Sequence, residues 1–135
     1  LVFVFLCDSA AWFFGILFGK GTRGFFKASP NKSLVGFIGG ICSDIAFAVL
    51  FKYVLSLLLN IDIFPGAYWK IILLALFTSV AGIIGDLIES VFKRSCEIKD
   101  SGNLIPGRGG ALDSIDSILI AAPVFYIAVH FLYGL

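Results

Sequence analysis

The 135-residue chain has no methionine, and only 14% of its residues are charged. A soluble domain carries about a quarter charged residues, so a conventional water-facing surface is excluded. Net charge is +1, so overall charge says nothing about nucleic acid, and no nucleic-acid partner is expected. The three cysteines, Cys7, Cys42 and Cys96, show no CxxC or CxH spacing, which removes zinc and redox readings. Cys7 and Cys42 sit in apolar runs as packing residues. No GxxxxGK[ST] loop occurs, so a Walker-type phosphate site is absent. Nor is there the ten-residue alternation of a membrane barrel. The opening apolar run has no basic leader and is broken by Asp8, unlike a signal peptide. Without methionine, and starting inside an apolar run at Leu1, the sequence reads as a piece of a longer chain.

What is present is apolar. The chain is 59% hydrophobic and 16% aromatic, with a mean hydropathy of +1.02. A bilayer core is crossed by about 20 apolar residues in a helix, and four segments qualify: 1–18, 34–59, 67–92 and 118–135. Helices satisfy their own backbone groups in lipid. The expected fold class is therefore all-α, a polytopic membrane helical bundle of about four transmembrane helices in one domain, 1–135. Residues 19–33 carry Lys20, Arg23, Lys27 and Lys32 with no acid, and residues 93–117 carry Lys93, Arg94, Lys99 and Arg108. Two spans separate these loops, so both lie on one side, and the positive-inside rule makes that side cytoplasmic. Tyr68 and Trp69 then belong to the opposite interface.

Asp8, Asp44, Lys52 and Asp86 fall within the spans. A charge at a helix centre costs roughly 2.5–3.5 kcal/mol on insertion scales, so each needs a partner, a cavity or a route to water. Lys52 and Lys70 are expected to reach the interface, and Asp44 to be paired inside the bundle. Asp86 has more telling neighbours. Asp86, Glu89, Ser90 and Lys93 are spaced i, i+3, i+4 and i+7 on one helix face. Asp113 and Asp116, spaced i, i+3, share a face at the start of the last span. Between them, SGNLIPGRGG (101–110) holds four glycines and a proline, a turn whose backbone N–H groups suit anions. Two carboxylate faces joined by a basic Gly-rich loop suit a hard cation carrying a polyphosphate. The same residues also fit a solvated juxtamembrane loop with scattered ion pairs.

The block from Ser90 to Asp116 resembles the signature of phosphatidate cytidylyltransferases, the CDP-diacylglycerol synthases: Ser-x-apolar-Lys-Arg, four residues, Lys-Asp, a small-residue turn, Pro-x-His-Gly-Gly, then Asp-Arg-x-Asp. Ser90, Lys93, Arg94, Lys99, Asp100, Pro106, Gly109, Gly110, Asp113 and Asp116 match in spacing. GDLIES at 85–90 matches the family's GDLxES. Upstream, Asp8-Ser9 with Ala11, Gly15, Gly19-Lys20, the run Ser29-Pro30-Asn31-Lys32-Ser33 and Gly36 resemble a looser family run. Arg108 stands where the family has His, and Ser114 where it has Arg, so one cation moves from the aspartate helix to the turn. The resemblance implies the C-terminal catalytic half of a longer integral membrane protein with its site facing the cytoplasm.

The resemblance further implies a nucleotidyltransferase of phospholipid biosynthesis, converting CTP and phosphatidate into CDP-diacylglycerol and pyrophosphate. Asp86 and Asp113 are the expected Mg²⁺ ligands, with Asp116 supporting them or holding a second cation. Lys93 and Arg94 join these aspartates as catalytic residues. Lys99, Asp100, Arg108, Gly109, Gly110, Ser29, Lys32 and Ser33 are the expected substrate-binding residues. The partners are CTP, phosphatidate and membrane lipids, and a homodimer is compatible. Two alternatives stay open: another CTP-dependent lipid transferase, such as a polyprenol kinase, and a cation-transporting membrane subunit using Asp8, Asp44 and Asp86. Topology is directly checkable. Cysteines placed singly at positions 27 and 99, with the native cysteines replaced, will label from the same face of the membrane; labelling from opposite faces overturns the four-span arrangement.

Overall fold

The computed structural model describes residues 2–21, 32–60, 62–98, 102 and 112–134. Among these the chain is helical: α1 (Val2–Phe18), a short 3₁₀ turn (Gly19–Gly21), α2 (Leu34–Leu59), α3 (Tyr68–Ser95) and α4 (Leu112–Tyr133). Three of the helices are long and apolar enough to cross a membrane, and α1 is a shorter apolar helix of 17 residues. The all-α membrane bundle expected from hydropathy is thus the observed architecture, and the protein is an integral membrane protein.

Two helix boundaries differ from hydropathy, both at the charged end. α3 continues to Ser95, carrying Lys93 and Arg94 in its last turn, where cations complement the helix dipole. α4 starts at Leu112, six residues before the apolar run. Acidic residues are favoured at a helix start for the same reason, so Asp113 and Asp116 are helical rather than loop residues. Pro123 lies inside α4 without ending it; membrane helices tolerate proline because neighbours re-satisfy the freed backbone group. Ser33 caps α2, its Oγ accepting the Gly36 N–H at 3.1 Å. Asn60 ends α2 in the left-handed region, φ 50°, a conformation that Asn adopts more readily than most residues.

Successive helices pack antiparallel, and small residues let them approach. A Cβ on Gly40 would stand 2.7 Å from the Cys7 carbonyl oxygen, and one on Gly36 would stand 2.6 Å from that of Ala11, so α1 and α2 touch backbone to backbone. Asp44 and Ser79 join α2 to α3. Further along, Ala48, Ile71 and Ala75 form a buried cluster. α3 meets α4 at Gly85 against Asp116 and at Gly82 against Ala121. Val4, Ala81 and Ala121 form a second buried cluster uniting α1, α3 and α4. Large side chains such as Phe18, Leu58, Tyr126 and Phe131 point outward, as lipid-facing residues do.

At the end of the bundle opposite Ser33, Lys52 is nearly buried. Its ammonium donates to the carbonyl oxygens of Phe64 (2.5 Å) and Gly66 (2.6 Å), lies 3.6 Å from Asp62, and sits over the Tyr68 ring. The expected reach toward the interface is realised as a clamp on the α2–α3 connection. Lys52→Met keeps the apolar stem but strands two carbonyls. It should cost about 1–3 kcal/mol, read as a lower melting temperature in detergent; an unchanged melting temperature would show the clamp to be idle.

Candidate active site

The close packing at Gly36 and Gly85 leaves a cleft of about 470 Å³ near the Ser33 end of the bundle. Its walls include Asp8, Trp12 and Ile16 of α1, Lys32 and Ser33 before α2, Gly36 and Phe37 of α2, Ile83 and Asp86 of α3, and Asp116 and Ser117 of α4. Three carboxylates from three helices thus converge with one lysine. Helical connectivity puts the end of α1, the start of α2, the end of α3 and the start of α4 at this end, and with them Lys32, Lys93 and Arg94.

The Asp86 carboxylate is paired with the Lys32 ammonium. Lys32 is half-buried, and burial pushes its ammonium below the usual lysine range; Asp8 and Asp116 oppose that shift, Lys93 adds to it, and Glu89 opposes it. Along α3, the buried Glu89 accepts Lys93 at 3.1 Å in an i, i+4 pair. Asp86, Glu89, Ser90 and Lys93 are all buried or half-buried, whereas Ile88, Val91 and Phe92 are exposed. The four-residue face inferred from spacing is therefore the inward face. Arg94 lies off that face and is exposed. Asp116 Oδ1 accepts the Ser117 backbone N–H at 2.6 Å.

Ser33 lines the cleft while its Oγ caps α2. Asp113 stands one turn before Asp116 on α4; its side chain lies outside the described residues. Ser29, Lys99, Asp100, Arg108, Gly109 and Gly110, and with them the Gly-rich turn, also lie outside them. In the sequence Asp8 stands as an intramembrane charge and in the looser family run, but not among the expected site residues of the transferase. The structure adds it: α1 packs so closely on α2 that Asp8 opens into the same cleft as Asp86. The available signal was its position inside an apolar run, where a charge needs a purpose.

Among the described residues no group of three or more His, Cys, Asp or Glu side chains is arranged to hold a metal. Mg²⁺ does not require one, since it commonly binds through one or two carboxylates, substrate phosphates and water. Asp86 and Asp116 in one cleft, with a lysine already neutralising Asp86, form a donor set that fits such a cation.

The profile of the Cytidylyltransferase family matches residues 1–132. The chain belongs to this family. It is 42% identical over 125 residues to the phosphatidate cytidylyltransferase of Bacillus subtilis, covering 93% of this chain and 44% of that protein. It is 39% identical over 127 residues to the enzyme of the same name from Thermotoga maritima, covering 94% of this chain and 46% of that one. With the Staphylococcus haemolyticus phosphatidate cytidylyltransferase it shares 38% identity over 124 residues, 92% of this chain and 45% of the relative. The chain spans just under half the length of these curated relatives. The resemblance read from the Ser90–Asp116 block is borne out.

The Gly85 of GDLIES gains a physical meaning here. A Cβ at Gly85 would lie 2.7 Å from the Asp116 carbonyl oxygen and 3.2 Å from Ser117 Cα, so glycine sets how near Asp86 comes to Asp116. Gly85→Ala must push α4 from α3 or strain both, at about 1–3 kcal/mol. A clear fall in melting temperature is expected in detergent. A melting temperature equal to the parent would mean the two helices do not depend on this approach.

Proposed function

We propose that this chain supplies the catalytic cleft of a phosphatidate cytidylyltransferase, an enzyme that makes CDP-diacylglycerol and pyrophosphate from CTP and phosphatidate at the membrane. The observation carrying the reading is the convergence of Asp8, Asp86 and Asp116 with Lys32 in one cleft inside an apolar bundle, on a chain whose relatives bear that enzyme name. The cleft end faces the cytoplasm in this reading, because both basic loops lie there.

The chemistry needs little covalent help. A phosphate oxygen of the lipid, already anionic, bonds to the α-phosphorus of CTP. The bond from that phosphorus to the bridging α,β oxygen breaks, and its electron pair leaves with pyrophosphate. The barrier comes from bringing anions together and from charge growing on the leaving group, so positioning and electrostatics dominate. Lys32 and Lys93 place cations along the cleft face of α3, and Arg94, Lys99 and Arg108 contribute from the helix end and loop. Lys32 is held at the mouth of α2 by the Ser33 cap. Ser29, Asp100, Gly109 and Gly110 shape the nucleotide side. The apolar walls at Trp12, Ile16 and Phe37 suit a lipid that enters from the bilayer.

Asp86 and Asp113 would hold Mg²⁺, with Asp116, which lines the cleft one turn further along α4, supporting them or holding a second cation. Bound there, the cation supplies charge neutralisation for the triphosphate and the leaving pyrophosphate. Asp113→Asn keeps the shape and removes the charge. In the full-length protein, incorporation of radiolabelled CTP into lipid should fall by about 10²-fold or more, the scale of several kcal/mol of lost electrostatic stabilisation. Near-normal incorporation by Asp113→Asn defeats the mechanism. Activity with a polyprenol but not with phosphatidate redirects the function to another lipid acceptor. Melting that does not respond to CTP with Mg²⁺ favours a cation transporter instead.

A further inference from the structure

Two helical turns deeper than the cleft, a second polar contact crosses the bundle, outside the cleft walls. Asp44 of α2 is fully buried, as is Ser79 of α3, and their side chains are hydrogen-bonded. Ser79 Oγ also lies 2.8 Å from the Ala75 carbonyl oxygen. Asp44 Oδ1 has no hydrogen-bond partner among the described residues.

A hydroxyl has one proton and two acceptor lone pairs. Ser79 therefore cannot donate to the Ala75 carbonyl and to a carboxylate oxygen together. With Asp44 ionised, one of those contacts lacks a proton, and Oδ1 remains a buried charged oxygen without a donor, the costliest arrangement in a membrane interior. With Asp44 protonated, its O–H donates to Ser79 Oγ and the Ser79 O–H donates to the Ala75 carbonyl. Each proton then has one acceptor, and Oδ1 is a neutral carbonyl oxygen.

The surroundings agree. From α1 the ionisable neighbours are Cys7 and, one residue on, Asp8, neither a source of positive charge. From α3 the contacting group is Ser79, and the neighbouring Thr78 hydroxyl is given to the Leu74 carbonyl at 2.7 Å. Lys52, on Asp44's own helix, is committed to Phe64 and Gly66 at the far end. No ammonium or guanidinium pairs with Asp44 among the described residues.

We propose that Asp44 is a neutral, proton-bearing positioning residue that links α2 to α3 through the chain Asp44–Ser79–Ala75 and fixes the register of the cleft. Asp44 lies seven residues from Phe37 and Ser79 seven from Asp86, so this tie sets how the cleft-lining ends of the two antiparallel helices meet. The register role rests on the cleft reading above; the protonation state does not.

Infrared difference spectroscopy of the full-length protein in lipid bilayers, parent minus Asp44→Asn at neutral pH, tests the proton. A protonated-carboxyl C=O band is expected, and it should shift in Ser79→Ala as its hydrogen-bond acceptor disappears. A carboxylate band in its place overturns the proposal. Asp44→Asn should keep the parent melting temperature, because the amide N–H donates to Ser79 Oγ in the same way. A marked fall would mean that the charge is needed, and would also overturn it. Asp44→Leu cannot donate and should lose the melting shift produced by CTP with Mg²⁺. A folded Asp44→Leu with the full shift overturns the register role. If Asp44→Leu does not assemble, the infrared and Asp44→Asn measurements still decide. If the parent itself shows no CTP shift, the enzyme reading fails while the protonation result stands.

Discussion

Backbone contact between helices is the constraint from which the site follows. Aspartate is short, with two bonds between its Cα and its carboxylate carbon. Three aspartates on three helices line one cleft only when the helix axes are close, and in lipid closeness is set by small residues at the interface rather than by expulsion of water. Gly36 and Gly40 draw α1 onto α2, and Gly85 draws α3 onto α4. Larger residues at those positions would part the helices that carry Asp8, Asp86 and Asp116.

This explains what could be read from the sequence. Long apolar runs in a chain with few charges specify membrane helices, because backbone satisfaction in lipid leaves little else. The inward face of α3 was legible because helical periodicity is local: Asp86, Glu89, Ser90 and Lys93 had to share a side. The extensions of α3 through Arg94 and of α4 back to Leu112 were not legible from hydropathy, which ends a helix where apolar residues end. Helix dipoles accept charge of the right sign beyond that point. The inclusion of Asp8 depended on which helix packs against which, a tertiary fact that spacing within α1 cannot encode.

The intramembrane charges divide by the same physics. Lys52 has a long stem, so its head leaves the middle of the bundle and finds two carbonyls at the end. Asp44 has no such reach and must be satisfied where it stands, which is why it meets a serine on the facing helix. Asp86 sits where the bundle opens and meets Lys32. One residue type thus has two environments, a dry interior contact and a cleft, separated by two turns of helix.

The cleft's own charge balance gives the last step. Its walls hold three carboxylates against one ammonium, yet the substrates proposed for it are polyanions. Such a surface repels a triphosphate unless cations stand between the two. Lys32 fills that place at Asp86 with a charge carried by the chain itself, while Asp116 is served by a backbone N–H. Under the proposed function, added positive charge would have to enter with the anionic ligand, because one wall lysine does not offset three carboxylates and a triphosphate. Neither the carboxylates nor the phosphates would be well placed there alone.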